Sequence, residues 1–178
     1  MWRGAIPTAL SGTSSRINIK NPSRSNLQVV LEGTREYSLK RICVIDGQGG
    51  GIGATIIKAL KRKYGETIEI LALGTNAVAT AQMLKAGANR GATGENPVVH
   101  TIGMADLVLG PVAITWPNGM MGEVTPCMAE AITSGHAPKV LIPLHQENIF
   151  LVGASREPLP HLVEAMIHEY IKEVLKNV

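Results

Sequence analysis

The stretch RICVIDGQGGGIGATIIKAL, residues 41–60, carries the strongest fold signal in this chain. It opens with a continuous β-branched and apolar run, the kind that forms a strand buried on both faces of a parallel sheet. Five of the nineteen glycines then fall within residues 47–53, and an apolar pattern with helical spacing follows them. The stretch therefore predicts a strand, a tight glycine-rich turn and an amphipathic helix.

Glycines at such a turn permit positive φ angles and a close approach of the backbone to a ligand. The exposed N–H groups at the start of the following helix would face an anion. Two dinucleotide-binding spacings fit: GxGxxA over residues 49–54, and GxxxGIG over residues 47–53, which resembles the short-chain dehydrogenase turn. The sequence contains no GxxxxGK[S/T] P-loop. The turn predicts a phosphate or nucleotide site, and a tight turn without a ligand is the alternative.

Composition and charge narrow the class of protein. The 178 residues are 45% hydrophobic and only 3% aromatic, which predicts one globular domain with an aliphatic core. Two cysteines provide no disulfide framework, and no apolar run reaches the roughly 18–20 residues needed to span a bilayer. These features predict a cytoplasmic protein with no membrane partner.

The positive net charge belongs to the leading segment. Residues 1–40 hold six of the seventeen basic residues and two of the fourteen acidic ones, so eleven basic and twelve acidic residues remain for 41–178. A near-neutral domain predicts no nucleic-acid partner. The segment is rich in Ser, Asn and Pro and has no signal-peptide core. We expect residues 1–40 to be a flexible basic extension, with a transit peptide as the alternative, and residues 41–178 to be the nucleotide-binding domain.

Strand-like and helix-like segments alternate after residue 41. We predict strands over residues 67–74, 89–93 and 106–114, a hairpin of strands over 139–144 and 149–154, and helices over 75–86, 125–135 and 158–178. The fold class is therefore α/β: a Rossmann-like three-layer fold with a mainly parallel sheet and a C-terminal hairpin plus helix. Both common doubly wound strand orders fit the pattern. Ligands of such folds bind beyond the carboxyl ends of the strands.

The end of the second predicted strand departs from an ordinary dehydrogenase. An acid that bonds the ribose is expected there, but the sequence reads Leu-Gly-Thr-Asn over residues 73–76, with no nearby Arg for a 2′-phosphate. No Tyr-x-x-x-Lys follows either, so catalysis of the short-chain dehydrogenase type is excluded. If a nucleotide binds, Thr75 and Asn76 are the expected sugar or phosphate contacts.

Other polar groups lie at predicted strand ends. Thr93 is either a ligand contact or a helix N-cap, and Asp46 either holds a ligand group or stabilises the turn. The loop over residues 115–124 is either a lid or subunit contact, built on Met120 and Met121, or a plain connector. Cys127 is expected to be a small buried residue rather than a nucleophile paired with His145. No histidine or cysteine spacing predicts a metal site.

The predicted ligand contacts gather at this edge of the sheet: Asp46, Gly47, Gln48, Gly49, Gly50, Gly51, Ile52, Gly53, Thr75, Asn76, Thr93, Glu95, Asn118 and Glu123. The ligand is predicted to be NAD(P), another nucleotide or a phosphorylated small molecule. Two alternatives stay open. One is an enzyme that uses this cofactor, with Asp46, Glu123 or His145 as acid–base groups. The other is a non-catalytic scaffold or regulatory protein that forms a homo-oligomer.

Several motifs occur together and in order: VIDGQGGGIG, LALGTNAVATAQMLKAGANRGATGEN, LVLGPVAI, GMMGEVTPCMAEAI and EPLPHLVE. Together they resemble a family of short bacterial proteins catalogued as a domain of unknown function, over about residues 41–176. The resemblance implies a small cytoplasmic protein with a Rossmann-like glycine turn, and it implies no catalytic residue. Residues 1–40 lie outside the resemblance.

Overall fold

A computed structural model describes residues 39–144, 149–155 and 157–177. Its five strands form one sheet in the order β3-β2-β1-β4-β5, and every neighbouring pair is parallel. The strands are β1 (Lys40–Asp46), β2 (Ile68–Gly74), β3 (Arg90–Thr93), β4 (Leu107–Pro111) and β5 (Lys139–Ile142). The predicted Rossmann-like α/β fold is confirmed, and the strand order is now fixed.

Helices follow each strand except β4, which runs into a single 3₁₀ turn, Val112–Thr115. The α-helices are α1 (Gly51–Tyr64), α2 (Ala77–Lys85), α3 (Glu95–Ile102), α4 (Pro126–Ser134), α5 (Leu159–Ala165) and α6 (Lys172–Asn177). A π-helical segment, Met166–Ile171, joins α5 to α6, so the C-terminal helix predicted from residue 158 is continuous but wider in its middle. No helix in the described ranges combines the length and apolar character needed to cross a membrane.

The alternating side chains of β1 divide the core into two halves. Ile42 and Val44 pack with α1, α2 and the C-terminal helix, whereas Cys43 and Ile45 pack with α3 and α4. All four side chains are at most 1% exposed, which stabilises the fold by about 1.5–3 kcal/mol for each large aliphatic one. Burial raises the pKa of Cys43 to about 12, so this thiol is part of the core. The arrangement gives the predicted three layers, with helices on both faces of the sheet.

The predicted C-terminal hairpin is wrong. Residues 149–155 form a turn rather than a strand, and the described sheet ends at β5. Phe150 and Val152 are exposed, and Gly153 has a φ of 83°, so the run does not continue a strand ladder. An apolar run does not show whether a neighbouring strand is available to pair with it, so the pattern alone could not distinguish a strand from a turn here.

Residues 1–38 of the extension predicted over residues 1–40 lie outside the described residues, as do residues 145–148.

Side chains cap the helices α2 and α4. Thr125 accepts a hydrogen bond from the N–H of Met128 (3.2 Å), as its position before Pro126 predicts, and Asn76 caps α2 through the N–H of Ala79 (2.8 Å). The prediction that Thr93 caps α3 is wrong. Gly94, at a φ of 99°, takes the cap position, because the chain must turn sharply between β3 and α3.

The turn between β1 and α1 yields a prediction about folding stability. Gly50 has a φ of 68°, and a Cβ there would lie 2.7 Å from the Cα of Ala79 in α2. Gly49 avoids positive φ, and a Cβ there meets nothing within 4 Å. We expect Gly50→Ala to lower the free energy of unfolding by about 2–4 kcal/mol. The control Gly49→Ala should change it by less than about 1 kcal/mol. Urea unfolding measures both, and equal effects would contradict the geometry.

Candidate functional site

Three segments meet at the carboxyl edge of the sheet, where β1 has β2 on one side and β4 on the other. They are the glycine turn over residues 47–50, the residues that follow β2, and the loop over residues 116–124 that follows β4. In open α/β sheets this change of direction in strand order marks the ligand crevice. The structure therefore brings most of the predicted contacts to one place.

Asp46 ends β1 and holds the turn together. Its side chain is 2% exposed, its Oδ1 accepts a hydrogen bond from the N–H of Gly47 (2.8 Å), and its Oδ2 accepts one from the N–H of Gly53 (2.7 Å). Burial raises the pKa of Asp46 above its usual value, while hydrogen bonds from the backbone of Gly53, Gly47 and Ile52 act in the opposite direction. Both oxygens are used inside the turn, the second of the two roles predicted for this residue.

Two N–H groups of the turn remain open. Within the described chain, the N–H groups of Gly49 and Gly51 have no hydrogen-bond acceptor. They border a cavity of about 290 Å³ that is lined by residues 46–52 together with Met120 and Leu159. A Cβ at either glycine would meet nothing within 4 Å. The turn thus offers free donors at the positive end of the α1 dipole.

Glu123 connects all three segments. Its Oε2 accepts hydrogen bonds from the N–H of Gln48 (2.8 Å), the hydroxyl of Thr75 (2.5 Å) and the side-chain amide of Asn76 (2.8 Å). The same amide also donates to the carbonyl of Gln48 (3.0 Å). Partial burial acts to raise the pKa of Glu123, but the hydrogen bonds from Thr75, Gln48 and Asn76 outweigh it and hold that pKa below its usual value. Glu123 is therefore an ionised acceptor at the end of β2.

The loop that carries Glu123 has an unusual backbone. Asn118, Met120 and Met121 have φ angles of 63°, 56° and 60°, in the left-handed region that non-glycine residues seldom occupy. Met120 is 2% exposed, and its Sδ would lie 2.6 Å from a Cβ at Gly47. Only a glycine at position 47 leaves room for this loop against the turn. Met120, one of the two methionines of the predicted lid, is thus part of the protein interior.

The remaining predicted contacts lie around this centre. The hydroxyl of Thr93 bonds that of Thr80 (2.7 Å), and Thr80 donates to the carbonyl of Asn76 (3.0 Å). Glu95 accepts a hydrogen bond from Thr125 and so joins α3 to the start of α4. Asn118 is exposed at the tip of its loop. Neither Glu95 nor Asn118 joins the Glu123 network.

Cys127, the side chain considered as a nucleophile beside His145, lies in the first turn of α4. Cys127 was expected to be buried, but it is exposed, because the first turn of α4 directs Met128 and Ala129 rather than Cys127 to the core. His145, its proposed base, lies outside the described residues. In the described part of the chain, no three His, Cys, Asp or Glu side chains lie together as a metal site would require. Met120, one of the two methionines of the predicted lid, lines the cavity, and so does Leu159, which was not predicted. Leu159 lies more than a hundred residues after the glycine turn, so no local pattern identifies it as a contact.

The chain belongs to the family described as Domain of unknown function (DUF3842), whose profile matches residues 41–175. The resemblance drawn from the motifs is confirmed over these residues. A search of curated proteins finds no match to this chain.

The Glu123 network yields a prediction about pH. Since the folded-state pKa of Glu123 is lowered, its contribution to stability is present above its unfolded pKa, about 4.3, and is lost as the pH falls through the folded value. We expect Glu123→Gln to lower the free energy of unfolding at pH 7 by about 1–2 kcal/mol. The difference from the wild type should shrink steadily below about pH 4.

Urea unfolding across pH 3–7 measures this difference. Glu130→Gln is the matched control, since Glu130 is an exposed acid of α4 that forms no side-chain hydrogen bond in the described chain. It should match the wild type at every pH. A Glu123→Gln deficit that stays constant down to pH 3 would show that the carboxylate charge has no part in holding the loop.

Proposed function

We propose that this protein binds a nucleotide or dinucleotide, with a phosphate on the N–H groups of Gly49 and Gly51. One observation carries the proposal: these two donors at the start of α1 have no acceptor in the described chain and open on a cavity at the switch in strand order. Backbone donors in that position are a common phosphate site of this fold class. Residues 75–76 and Glu123 border the turn on the side of β2.

The dimensions and charges of the site limit the ligand. A cavity of about 290 Å³ lies just under the roughly 300–1,000 Å³ typical of ligand pockets, so it has room for part of a nucleotide, and the rest must extend along the surface. Asp46 and Glu123 already occupy the N–H groups of Gly47, Gln48 and Gly53. A phosphate therefore fits only on the outer side of the turn.

The proposal concerns binding and not a reaction. The carboxylates of Asp46 and Glu123, the two described candidates for acid–base groups, are both hydrogen-bonded within the site. A nicotinamide dinucleotide, if bound, would supply hydride-transfer chemistry. The residues of this chain would then bind and orient it.

Open space at Gly51 allows a test that separates binding from folding. Gly51→Leu adds a side chain beside the free N–H groups and should not lower stability, since leucine favours a helix by up to about 1 kcal/mol over glycine. We expect it to weaken nucleotide binding about tenfold or more. Thermal shift and calorimetry with ATP, ADP, NAD and NADP at millimolar concentration measure the effect on the full chain.

Gly103→Leu is the matched control. Gly103 follows α3, is equally open to an added Cβ and does not line the cavity. This variant should bind like the wild type. If no nucleotide stabilises the wild-type protein, the proposed function is wrong. Equal nucleotide binding by the wild type and Gly51→Leu would show that the ligand binds elsewhere than at the turn.

A second candidate function, an oligomeric scaffold, is favoured by the surface beside β5. A cavity of about 640 Å³ runs along this edge strand between residues 153–155 and the C-terminal helix. Tyr170, which lines this cavity, is exposed, and so is Val152, which directly precedes residue 153. Exposed apolar groups next to a strand edge are typical of a subunit contact. We therefore place the contact with a second copy at β5 rather than at the loop of residues 116–124.

Light scattering distinguishes the two surfaces. If the protein is a multimer, Val152→Asp should reduce its mass, because a buried charge at the contact is costly. Met121→Asp, in the loop after β4, should leave the mass unchanged. A monomeric wild-type protein would rule out the oligomeric scaffold. A reduced mass for Met121→Asp alone would show that the subunit contact lies in the loop after β4 and not at β5.

A further inference from the structure

We propose that Glu123 supplies the carboxylate that recognises a ribose 2′-hydroxyl, so that the site selects a dinucleotide without a 2′-phosphate. This inference rests on the proposed function. It adds a specificity-determining residue and a ligand class to the nucleotide site.

Dinucleotide sites of this fold use an acid at the end of the second strand to bond the ribose 2′-hydroxyl. β2 ends at Gly74, and the residues that follow it, Thr75 and Asn76, are neutral. The structure places another acid there. The Oε2 atom of Glu123 lies 2.5 Å from the hydroxyl of Thr75 and 2.8 Å from the side-chain amide of Asn76. The loop after β4 thus places a carboxylate at the end of β2, where β2 and the residues after it have no acid.

The orientation of this carboxylate leaves one oxygen available. Oε2 accepts all three hydrogen bonds, from Gln48, Thr75 and Asn76, whereas Oε1 accepts none in the described chain. The residue is only partly buried, and Oε1 is the carboxylate oxygen left without a donor among the described residues. A carboxylate fixed in this way is a pre-oriented acceptor for a hydroxyl group, with little rotational freedom left to lose.

Among the described residues, no cation balances the charge of Glu123. Its three donors are neutral, and the buried carboxylate of Asp46 lies close enough to interact with it electrostatically. Arg41 and Arg90, at the amino ends of β1 and β3, both bond Glu69 instead. A 2′-phosphate, which carries about −1.5 to −2 charge near neutral pH, would meet this carboxylate and no arginine in the part of the chain that the structure describes. The site therefore favours a free 2′-hydroxyl.

The test compares NAD with NADP by calorimetry on the full chain, at equal ionic strength and pH 7. We expect the wild type to bind NAD about tenfold or more tightly than NADP. Glu123→Gln should reduce that ratio below about threefold, chiefly by improving NADP binding, since the amide keeps an acceptor and removes the repulsion. Glu130→Gln, an exposed acid of α4, should keep the wild-type ratio.

A second measurement needs no variant, in case Glu123→Gln destabilises the loop. The wild-type protein should bind 2′-deoxy-NAD about tenfold more weakly than NAD, because the hydroxyl that Oε1 accepts from is missing. If NAD, NADP and 2′-deoxy-NAD bind equally well, the proposed function stands and the role of Glu123 is overturned. If an unchanged NAD preference persists in folded Glu123→Gln, the role is likewise overturned. If none of the three binds, both proposals are wrong for dinucleotides, and binding of ATP or ADP would leave only the broader nucleotide site.

Discussion

The structure depends on how the backbone donors of one turn are satisfied. A chain that passes from a buried strand into a helix within four residues leaves several N–H groups without a partner in either element, and each of these that is buried is costly if it finds no acceptor. The chain meets this requirement with two carboxylates. Asp46 takes the N–H groups of Gly47 and Gly53 from within the turn, and Glu123 takes that of Gln48 from a distant loop.

This solution ties the turn to the loop over residues 116–124. The loop carries three non-glycine residues in the left-handed region, and such a backbone persists only where its surroundings hold it in place. Three hydrogen bonds to Glu123 and the buried side chain of Met120 beneath Gly47 provide that hold. Position 47 therefore requires glycine for a structural reason that does not depend on a ligand. Gly49 and Gly51, which have open space above them, do not share that reason.

The sequence predicts the parts of this arrangement that are local. A β-branched run, a cluster of glycines and an apolar helical pattern are contiguous, so β1, the turn and α1 could be identified without coordinates, and Thr75 and Asn76 follow from the rule that ligands bind at strand ends. The position of Glu123 beside them could not be derived. It depends on the path of a loop whose conformation, with Met120 and Met121 at positive φ, is one that residue preferences disfavour. The strand expected over residues 149–154 failed for a related reason, since pairing requires a partner that a local pattern does not specify.

The charges around the turn constrain what it can hold. The described residues that line the cavity include no Lys or Arg, and two carboxylates lie beside it. The positive end of α1 is therefore the attraction that the described site offers to an anion. That attraction is equivalent to about half an elementary charge, which is too little to balance a triphosphate without a cation. A pyrophosphate diester carries less charge, and the ribose hydroxyls of a dinucleotide donate hydrogen bonds that a carboxylate oxygen accepts. In the proposed site, the free oxygen of Glu123 would therefore favour ligands of low charge that are rich in hydroxyl groups.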